Sequence, residues 1–419
     1  MKNFFHILVL LTIVVACNVS TTAEKQPVKE DSLEYYPPTP APLAKDEFRK
    51  YHRIISSYFD SMLLKKNFNG SILVAKNGAI VYEKYQGRID LRKEAPITDS
   101  TPLHIASTSK TFTGVATLRL VQENKLSLED TLGKFFPALP YPGITVKMLL
   151  NHRSGLPNYV YFMPNSKWDK KVYVTNQDML NFLYTEKPKR SFSPDTRFSY
   201  SNTNFVLLAM IIEKITGKSF PEYMKTKYFV PLQMTHTYIF TPADSAIATP
   251  SFNYNNSFWE NDFLEYTYGD KNVYTTPRDL LKWDQALYTN QLLNASLLDS
   301  AFTPYSTETK SIHNYGLGFR MLMIPNGKKV IYHFGRWHGF NAAFSRLTDE
   351  KVTIIILGNR FSSGIYNTAR LSYDLFGAYD QNHNRHDDES ETLADDKKEV
   401  VQQKTGSPKT TSHSATTRK

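Results

Sequence analysis

The segment from His104 to Ala116 restricts the fold of this chain more than any other, because it predicts a buried helix with reactive side chains in its first turn. Within it, Ser107 and Lys110 are three positions apart, and residues at that spacing share one face of a helix. The Lys110 amine can therefore reach the Ser107 hydroxyl, as a serine nucleophile requires when no histidine serves as its base. A helix N-terminus also stabilises developing negative charge. Taken alone, a Ser-x-x-Lys motif is more often a surface capping pair than a catalytic one.

Two further motifs carry groups that would complete such a site. Tyr200–Asn202 (Tyr-Ser-Asn) precedes the apolar, helix-like run Phe205–Ile215, and His333–Gly335 (His-Phe-Gly) follows the strand-like run Lys329–Tyr332. The order Ser-x-x-Lys, Tyr-x-Asn, basic residue-x-Gly resembles the serine β-lactamase and penicillin-binding protein superfamily. The second and third motifs resemble its class C-related branch, which includes D,D-carboxypeptidases, D-aminopeptidases and esterases.

Other segments extend the resemblance over about residues 46–380, and they follow one another in the family's order. They are Asn69–Gly78, Leu149–Pro157, Glu213–Ser219, Pro231–Met234, Thr276–Leu280 and Tyr315–Gly318. So many ordered matches do not arise by chance, and they favour a catalytic Ser107–Lys110 pair over a surface pair.

The resemblance implies an α+β fold of the β-lactamase/transpeptidase type. In that fold an antiparallel sheet, flanked by helices, is built from both chain ends, and a mostly helical lobe is inserted at about residues 110–300. The residue pattern alone supports only mixed helix and strand. It predicts a helix over Glu47–Leu64 and a hairpin around Lys76–Gly78. Towards the C-terminus it predicts strands and then a helix: Gly318–Met323, Lys329–His333, Phe340–Leu347, Val352–Gly358 and the helix Ser363–Phe376.

The resemblance also implies the chemistry, which is acyl transfer. Ser107 attacks a carbonyl, and water then hydrolyses the acyl-enzyme. Lys110 accepts the serine proton, so it must be neutral during part of the cycle. Tyr200 hydrogen-bonds both groups and passes the proton to the leaving group and the deacylating water. Asn202 binds the acyl side chain of the substrate or Lys110, and the backbone N–H groups of Ser107 and Arg336 form the oxyanion hole.

The third motif departs from the β-lactamase pattern. Those enzymes typically carry Lys-Thr-Gly, which holds the ligand carboxylate, whereas here His333 replaces the lysine and Phe334 the hydroxyl residue. Loss of one hydrogen bond to a charged group costs about 1.5–3 kcal/mol, which argues against efficient penicillin hydrolysis. We expect His333, Gly335 and Arg336 to bind substrate. The Arg336 side chain either contacts a carboxylate or is simply solvated, and the sequence favours neither.

The first residues predict export. The apolar run Phe4–Ala16 follows a short basic start, is too short to span a membrane comfortably, and fits a secretory signal. Small residues before Cys17 resemble a bacterial lipobox, in which Cys17 becomes the lipid-bearing first residue; an ordinary cleaved signal is the alternative. We therefore expect a lipoprotein-type signal peptide at residues 1–17. The mature protein would be anchored by its lipid to a membrane of the cell envelope, on the periplasmic or surface face.

The remaining chain divides into three parts. Residues 18–45 are polar with a proline cluster and predict a tether, residues 46–380 form the hydrolase domain, and residues 381–419 predict a disordered polar tail. Cys17 is the only cysteine, so the folded part has no disulfide or cysteine metal site. The histidines are scattered without metal-ligand spacing, and we expect neither a metal nor a cofactor. The net charge of +10 is dispersed, which together with export argues against a nucleic-acid partner.

The sequence thus predicts an exported serine hydrolase acting on D-amino-acid peptides, in the manner of a D,D-carboxypeptidase, or on small esters. Weak or no β-lactamase activity is expected, and peptidoglycan stem peptides are candidate substrates. The alternative is a non-catalytic, penicillin-binding-like scaffold or binding protein that keeps the fold. That alternative predicts damage to the catalytic set, yet only the outer recognition positions depart from the family.

Overall fold

The structure is a computed structural model that describes residue 40, residues 42–289 and residues 291–381. The expected signal peptide at residues 1–17, lipid attachment at Cys17, most of the tether and the tail from residue 382 lie outside the described residues. Within the described part of the chain, no helix has both the length and the apolar character that crossing a bilayer requires.

The helices and strands have the following bounds. The α-helices are α1 (Lys45–Phe59), α2 (Lys110–Gln122), α3 (Leu132–Phe135), α4 (Val146–Leu150), α5 (Tyr159–Phe162), α6 (Asn176–Thr185), α7 (Asn202–Thr216), α8 (Phe220–Met224), α9 (Pro277–Tyr288), α10 (Ala295–Ala301) and α11 (Gly364–Leu371). The strands are β1 (Gly70–Lys76), β2 (Ala79–Gln86), β3 (Leu103–His104), β4 (Tyr238–Ile239), β5 (Ser251–Phe252), β6 (Phe258–Trp259), β7 (Val273–Thr275), β8 (His313–Tyr315), β9 (Arg320–Met323), β10 (Lys329–Trp337), β11 (Phe340–Leu347) and β12 (Val352–Gly358).

Seven strands form one antiparallel sheet in the order β2-β1-β12-β11-β10-β9-β8. The two ends of the domain meet where β1 pairs with β12, with Gly70 opposite Gly358 and Lys76 opposite Val352. Strands β11 and β12 are buried along their whole length, because both faces of the sheet are covered. This arrangement confirms the predicted α+β fold with a sheet built from both chain ends.

One face of the sheet packs against α1 and α11. Side chains on a strand alternate between the two faces, so every second residue of β1 and β12 enters this layer. The shared core is apolar and solvent-excluded, and its members include Ile55, Phe59, Ile72, Val74, Ile354, Ile356, Ile365 and Ala369. Burial of each such side chain stabilises the fold by about 1.5–3 kcal/mol.

The other face of the sheet carries the helical part of the chain. Helix α7 is apolar on all sides and buried from Thr203 to Ile212, and α2 is buried from Lys110 to Leu120, as expected of central helices. Helix α9 is tied to the sheet by an ion pair that is completely buried, between Asp284 and Arg346 of β11.

Most of the predicted element bounds agree with the structure, and the differences have local causes. The strand expected from Gly318 begins at Arg320, because Gly318 has a left-handed φ of +89° that a strand cannot accommodate. The strand expected over Lys329–His333 continues to Trp337. The sequence pattern does not predict the short strands β4 to β7 within the helical part, since runs of two or three residues show no periodicity.

Candidate active site

Ser107 lies in a short 3-10 turn, Ala106–Ser109, which leads directly into α2. The preceding Ala106 has a φ of +48°, a conformation that costs a residue with a Cβ of order 1–3 kcal/mol. The neighbouring His104 supports it, because its Nδ1 accepts a hydrogen bond from the Ala106 N–H at 3.2 Å and its Nε2 lies 3.0 Å from Oδ1 of Asn272. The turn therefore holds Ser107, which is half-buried, at the start of the central helix.

Lys110 is completely buried, and its Nζ contacts three oxygen atoms, two of them from distant segments. It donates to Oγ of Ser107 at 3.0 Å, to Oδ1 of Asn202 at 2.7 Å and to the main-chain oxygen of Asp270 at 2.8 Å. The structure thus brings together Ser107, Lys110 and Asn202, as the sequence predicts. Asp270, which no sequence motif predicts, supplies a third acceptor for the amine.

Tyr200 is half-buried on the segment that leads into α7. Its ring centroid lies 4.9 Å from Nζ of Lys110, so the phenol belongs to the same site as the Ser107–Lys110 pair. Asn202 is the first residue of α7, and its backbone N–H donates to Oδ1 of Asn158 at 3.1 Å. The Tyr-x-Asn motif is therefore fixed at a helix start beside the amine.

Strand β10 passes close to the Ser107 turn because Gly335 has no side chain. A Cβ at Gly335 would lie 2.2 Å from the oxygen of Ile105 and 2.9 Å from the nitrogen of Ser107, which excludes any larger residue. Oγ1 of Thr108 also donates to the main-chain oxygen of His333 at 3.2 Å. The backbone beyond Gly335 consequently runs beside Ser107, the arrangement that the predicted oxyanion hole requires.

His333 is buried rather than exposed to the cleft. Its Nδ1 lies 2.7 Å from the oxygen of Phe334 and must donate, so Nε2 accepts from the Tyr315 hydroxyl at 3.1 Å. Burial, reinforced by the positive charges of Arg320 and Lys110, holds the pKa of His333 well below its usual range. The imidazole is therefore neutral and does not supply the charge of the lysine that it replaces. Phe334 faces the core, stacked on Tyr366 with centroids 5.4 Å apart.

Two arginines lie near this end of the sheet. The guanidinium of Arg336 lies over the ring of Phe361, 5.0 Å from its centroid. Arg320, the first residue of β9, is half-buried, with its guanidinium 5.0 Å from the ring centroid of Tyr200 and 5.9 Å from that of Tyr315. No sequence motif marks Arg320, and only the pairing of β9 with β10 brings it to the site.

Three potential metal ligands also meet beyond the tip of β10. One ligand atom from each of Asp262, Glu265 and His338 lies within 4.8 Å of the others, although His338 is 73 residues from Glu265 in the sequence. Nε2 of His338 lies 2.6 Å from Oε1 of Glu265, which also accepts from Nε1 of Trp337 at 2.9 Å. Burial disfavours the Glu265 carboxylate, but His338 and Lys271 outweigh burial and hold its pKa below the usual range. In the structure, one ring nitrogen of His338 and one carboxylate oxygen of Glu265 already contact each other.

Comparison with known proteins identifies a matching family and similar folds. The family model described as Beta-lactamase matches residues 64–376. Penicillin-binding protein 4* of Bacillus subtilis (strain 168) is 31% identical over 343 residues, which cover 77% of this chain and 76% of that protein. A penicillin binding protein from Bacillus halodurans superposes with a TM-score of 0.68 at 24% identity, over 76% of this chain and 99% of the other. The D-amino acid amidase from Ochrobactrum anthropi SV3 gives 0.63 at 22% identity, over 77% and 99%.

Proposed function

The chain belongs to the beta-lactamase family of serine hydrolases, and we propose that it cleaves D-amino-acid peptides or small esters through an acyl-enzyme on Ser107. The observation that supports this most directly is the 3.0 Å separation between Oγ of Ser107 and Nζ of Lys110. A buried amine at that distance can take the hydroxyl proton as the serine attacks.

In the proposed reaction Oγ of Ser107 adds to the substrate carbonyl while Lys110, in its neutral form, takes the hydroxyl proton. The oxyanion accepts hydrogen bonds from the N–H groups of Ser107 and Arg336, and each such donor contributes about 3–4 kcal/mol to transition-state stabilisation. Tyr200 passes the proton to the leaving group as the tetrahedral intermediate collapses to the acyl-enzyme. Water then attacks the ester, the proton returns by the same route, and Ser107 is released.

The charges around the site favour substrates with a carboxylate. His333 is neutral, so Arg320 beside Tyr200 supplies the positive charge that would bind a terminal carboxylate of a D,D-peptide. Phe334 offers no hydroxyl and packs into the core, which supports weak or no β-lactamase activity. The names of the relatives, a penicillin-binding protein and a D-amino acid amidase, fit the same substrate class.

The proposed substrate class also fits an envelope location. We infer that the protein is exported and attached by a lipid on Cys17, within reach of peptidoglycan stem peptides. Fractionation of cells that express the intact chain or a Cys17→Ala variant tests this inference. The intact chain is expected with the membranes and the variant in the soluble fraction.

Labelling of Ser107 tests the proposed reaction without knowledge of the natural substrate. Wild type and Ser107→Ala are incubated with a fluorescent fluorophosphonate and with a fluorescent penicillin, and only wild type is expected to be labelled. Equal labelling of both proteins would remove Ser107 from the mechanism, and no labelling of either would favour the non-catalytic scaffold. Turnover of D-Ala-D-Ala peptides, nitrophenyl esters and nitrocefin then ranks the substrate classes.

A further inference from the structure

A histidine to which the proposed reaction assigns no task lies directly beneath Tyr200. His152 is completely buried, and its ring centroid lies 4.3 Å from that of Tyr200. The ring also contacts Tyr315 edge-on at 4.7 Å and Phe205 at 5.1 Å. It is thus enclosed by aromatic side chains rather than exposed to the cleft.

His152 forms hydrogen bonds with both residues that adjoin Tyr200 in the sequence. The main-chain oxygen of His152 accepts a hydrogen bond from the N–H of Ser199 at 2.9 Å. Nδ1 of the same residue accepts from the N–H of Ser201 at 3.2 Å. Both sequence neighbours of Tyr200 are therefore held by one residue, whose ring also packs against the phenol.

The backbone conformation of its turn directs the carbonyl and the ring of His152 towards the segment that carries Tyr200. His152 has a left-handed φ of +57°, which allows both its carbonyl and its ring to contact the segment Ser199–Ser201. Nδ2 of Asn204, in the first turn of α7, lies 3.2 Å from Nδ1 of His152, and Oδ1 of Asn204 accepts from Oγ of Ser154 at 2.7 Å. The Asn204 amide thus anchors His152 to α7 and to its own turn.

The bonding scheme requires a neutral ring. Since Nδ1 accepts the Ser201 N–H, it carries no proton, and the ring hydrogen lies on Nε2. Burial lowers the pKa of His152 well below its usual range, and the charges of Lys110 and Arg320 and the neighbouring His333 act in the same direction. The acceptor at Nδ1 therefore persists across the physiological pH range.

We propose that His152 is a positioning residue for Tyr200: it fixes the phenol at the distance and angle that proton transfer between Ser107, Lys110 and the leaving group requires. His152 itself touches neither substrate nor the reacting atoms. This inference rests on the proposed function, because it assigns a partner to the residue that carries the proton in that reaction.

Two substitutions distinguish the contribution of the His152 ring from that of its acceptor atom Nδ1. His152→Phe keeps an aromatic ring against Tyr200 but leaves the N–H of Ser201 without Nδ1, whereas His152→Asn keeps an acceptor close to Nδ1 and loses the ring. We expect His152→Phe to lower kcat for a nitrophenyl ester by about 100-fold, the size of effect that misplacement of a reacting group produces. KM should change by less than about threefold. His152→Asn should retain more of kcat than His152→Phe, and the exposed His236→Phe serves as the matched control with unchanged kcat.

A double-mutant cycle with Tyr200→Phe gives the readout that a merely structural role would not produce. If His152 acts through the Tyr200 hydroxyl, His152→Phe has little further effect once that hydroxyl is gone. The same fold-loss in the wild-type and Tyr200→Phe backgrounds, or a wild-type kcat in His152→Phe, would overturn the proposal. If His152→Phe does not fold, as judged by its thermal unfolding, His152→Asn replaces it in the cycle. Equal fold-losses in the wild-type and Tyr200→Phe backgrounds would again overturn the proposal.

Ser107→Ala, measured in parallel, separates this proposal from the one on which it rests. Ser107→Ala as active as wild type would reject the serine mechanism and, with it, the task assigned to His152. An inert Ser107→Ala together with additive losses in the cycle would reject the His152 proposal alone.

Discussion

The main-chain oxygen of Asp270 accepts a hydrogen bond from Nζ of Lys110 at 2.8 Å, while its carboxylate accepts one from the Tyr159 hydroxyl at 2.7 Å. Nζ of Lys271 donates to the same Tyr159 hydroxyl, also at 2.7 Å. A buried side-chain network therefore fixes the loop whose backbone holds the amine. Since the contact to Lys110 comes from a carbonyl and not from a carboxylate, it orients the amine without adding a full negative charge beside it.

Replacement of Lys110 by methionine tests the amine as proton acceptor. The variant keeps an unbranched side chain but loses the base, and we expect the rate of fluorophosphonate labelling at Ser107 to fall by about 10²–10⁴-fold. Lys110→Arg is the matched control, because a guanidinium can donate hydrogen bonds but does not accept a proton at neutral pH. Labelling of Lys110→Arg at the wild-type rate would show that the serine proton goes elsewhere.

Replacement of Arg320 by glutamine tests recognition of the substrate carboxylate. A hydrogen bond to a charged group contributes about 1.5–3 kcal/mol, so kcat/KM for a D-Ala-D-Ala peptide should fall about 10- to 150-fold. Hydrolysis of an uncharged nitrophenyl ester should change little. Arg336→Gln is measured in parallel. If kcat/KM for the peptide falls in Arg336→Gln and not in Arg320→Gln, the carboxylate is bound by Arg336, which is one of the two roles that the sequence allows for that side chain.

Replacement of Asp284 by alanine tests the ion pair between α9 and the sheet. The variant leaves the guanidinium of Arg346 buried without its carboxylate, and we expect the free energy of unfolding to fall by about 3–5 kcal/mol. Arg278→Ala removes a half-exposed partner of Glu83 and should lower it by at most about 1 kcal/mol. Urea unfolding measures both changes, and losses of similar size would contradict the assignment.

The dependence of stability on pH tests the burial of His104. Burial lowers the pKa of His104 from 6.5 to about 4 in the folded protein. Between these values the unfolded chain binds a proton that the folded protein does not, so stability is complete above pH 6.5 and falls as the pH drops towards 4. From pH 7.5 to pH 5 this one residue should remove about 2 kcal/mol from the free energy of unfolding.

His104→Gln should make that loss smaller by about the same 2 kcal/mol, and His236→Gln, which replaces an exposed histidine, is measured as the control. Urea unfolding curves at the two pH values give the comparison. His152 and His333 are present in all three proteins, so their contributions cancel. Identical pH dependence in His104→Gln and wild type would show that His104 does not resist protonation.

The parts of the site that the sequence predicts are those set by local geometry or by motif. Ser107 and Lys110 meet because three residues in a helix start bring side chains to one face, and Tyr200 and Gly335 follow from the family resemblance. Arg320 could not be found in this way, because it reaches Tyr200 only through strand pairing. The motif could not predict the charge of His333 either. It identifies a basic residue, whereas the neutral state follows from burial, which lowers the pKa of that residue.

In the fold, too, some elements are predicted by local sequence and others depend on tertiary contacts. Strand β12 agrees with its predicted bounds because it is an apolar run rich in β-branched residues, and β11 agrees although it contains polar residues as well as two phenylalanines. The short strand β7 escapes detection, although it places Thr275 opposite Leu103 and so aligns the segment before the catalytic turn. Such pairing depends on tertiary contacts that a single short window of sequence does not contain.

The pairing of Gly70 with Gly358 joins the two ends of the domain, so the sheet cannot close before β12 has been made. Strand β1 is synthesised early, yet its neighbour β12 emerges from the ribosome only after almost the whole domain has been made. Proteins dominated by such distant contacts fold slowly, and an unpaired strand edge is exposed to aggregation in the meantime. If the chain is exported, as we propose, late closure of the sheet would keep the polypeptide open until it has been translocated.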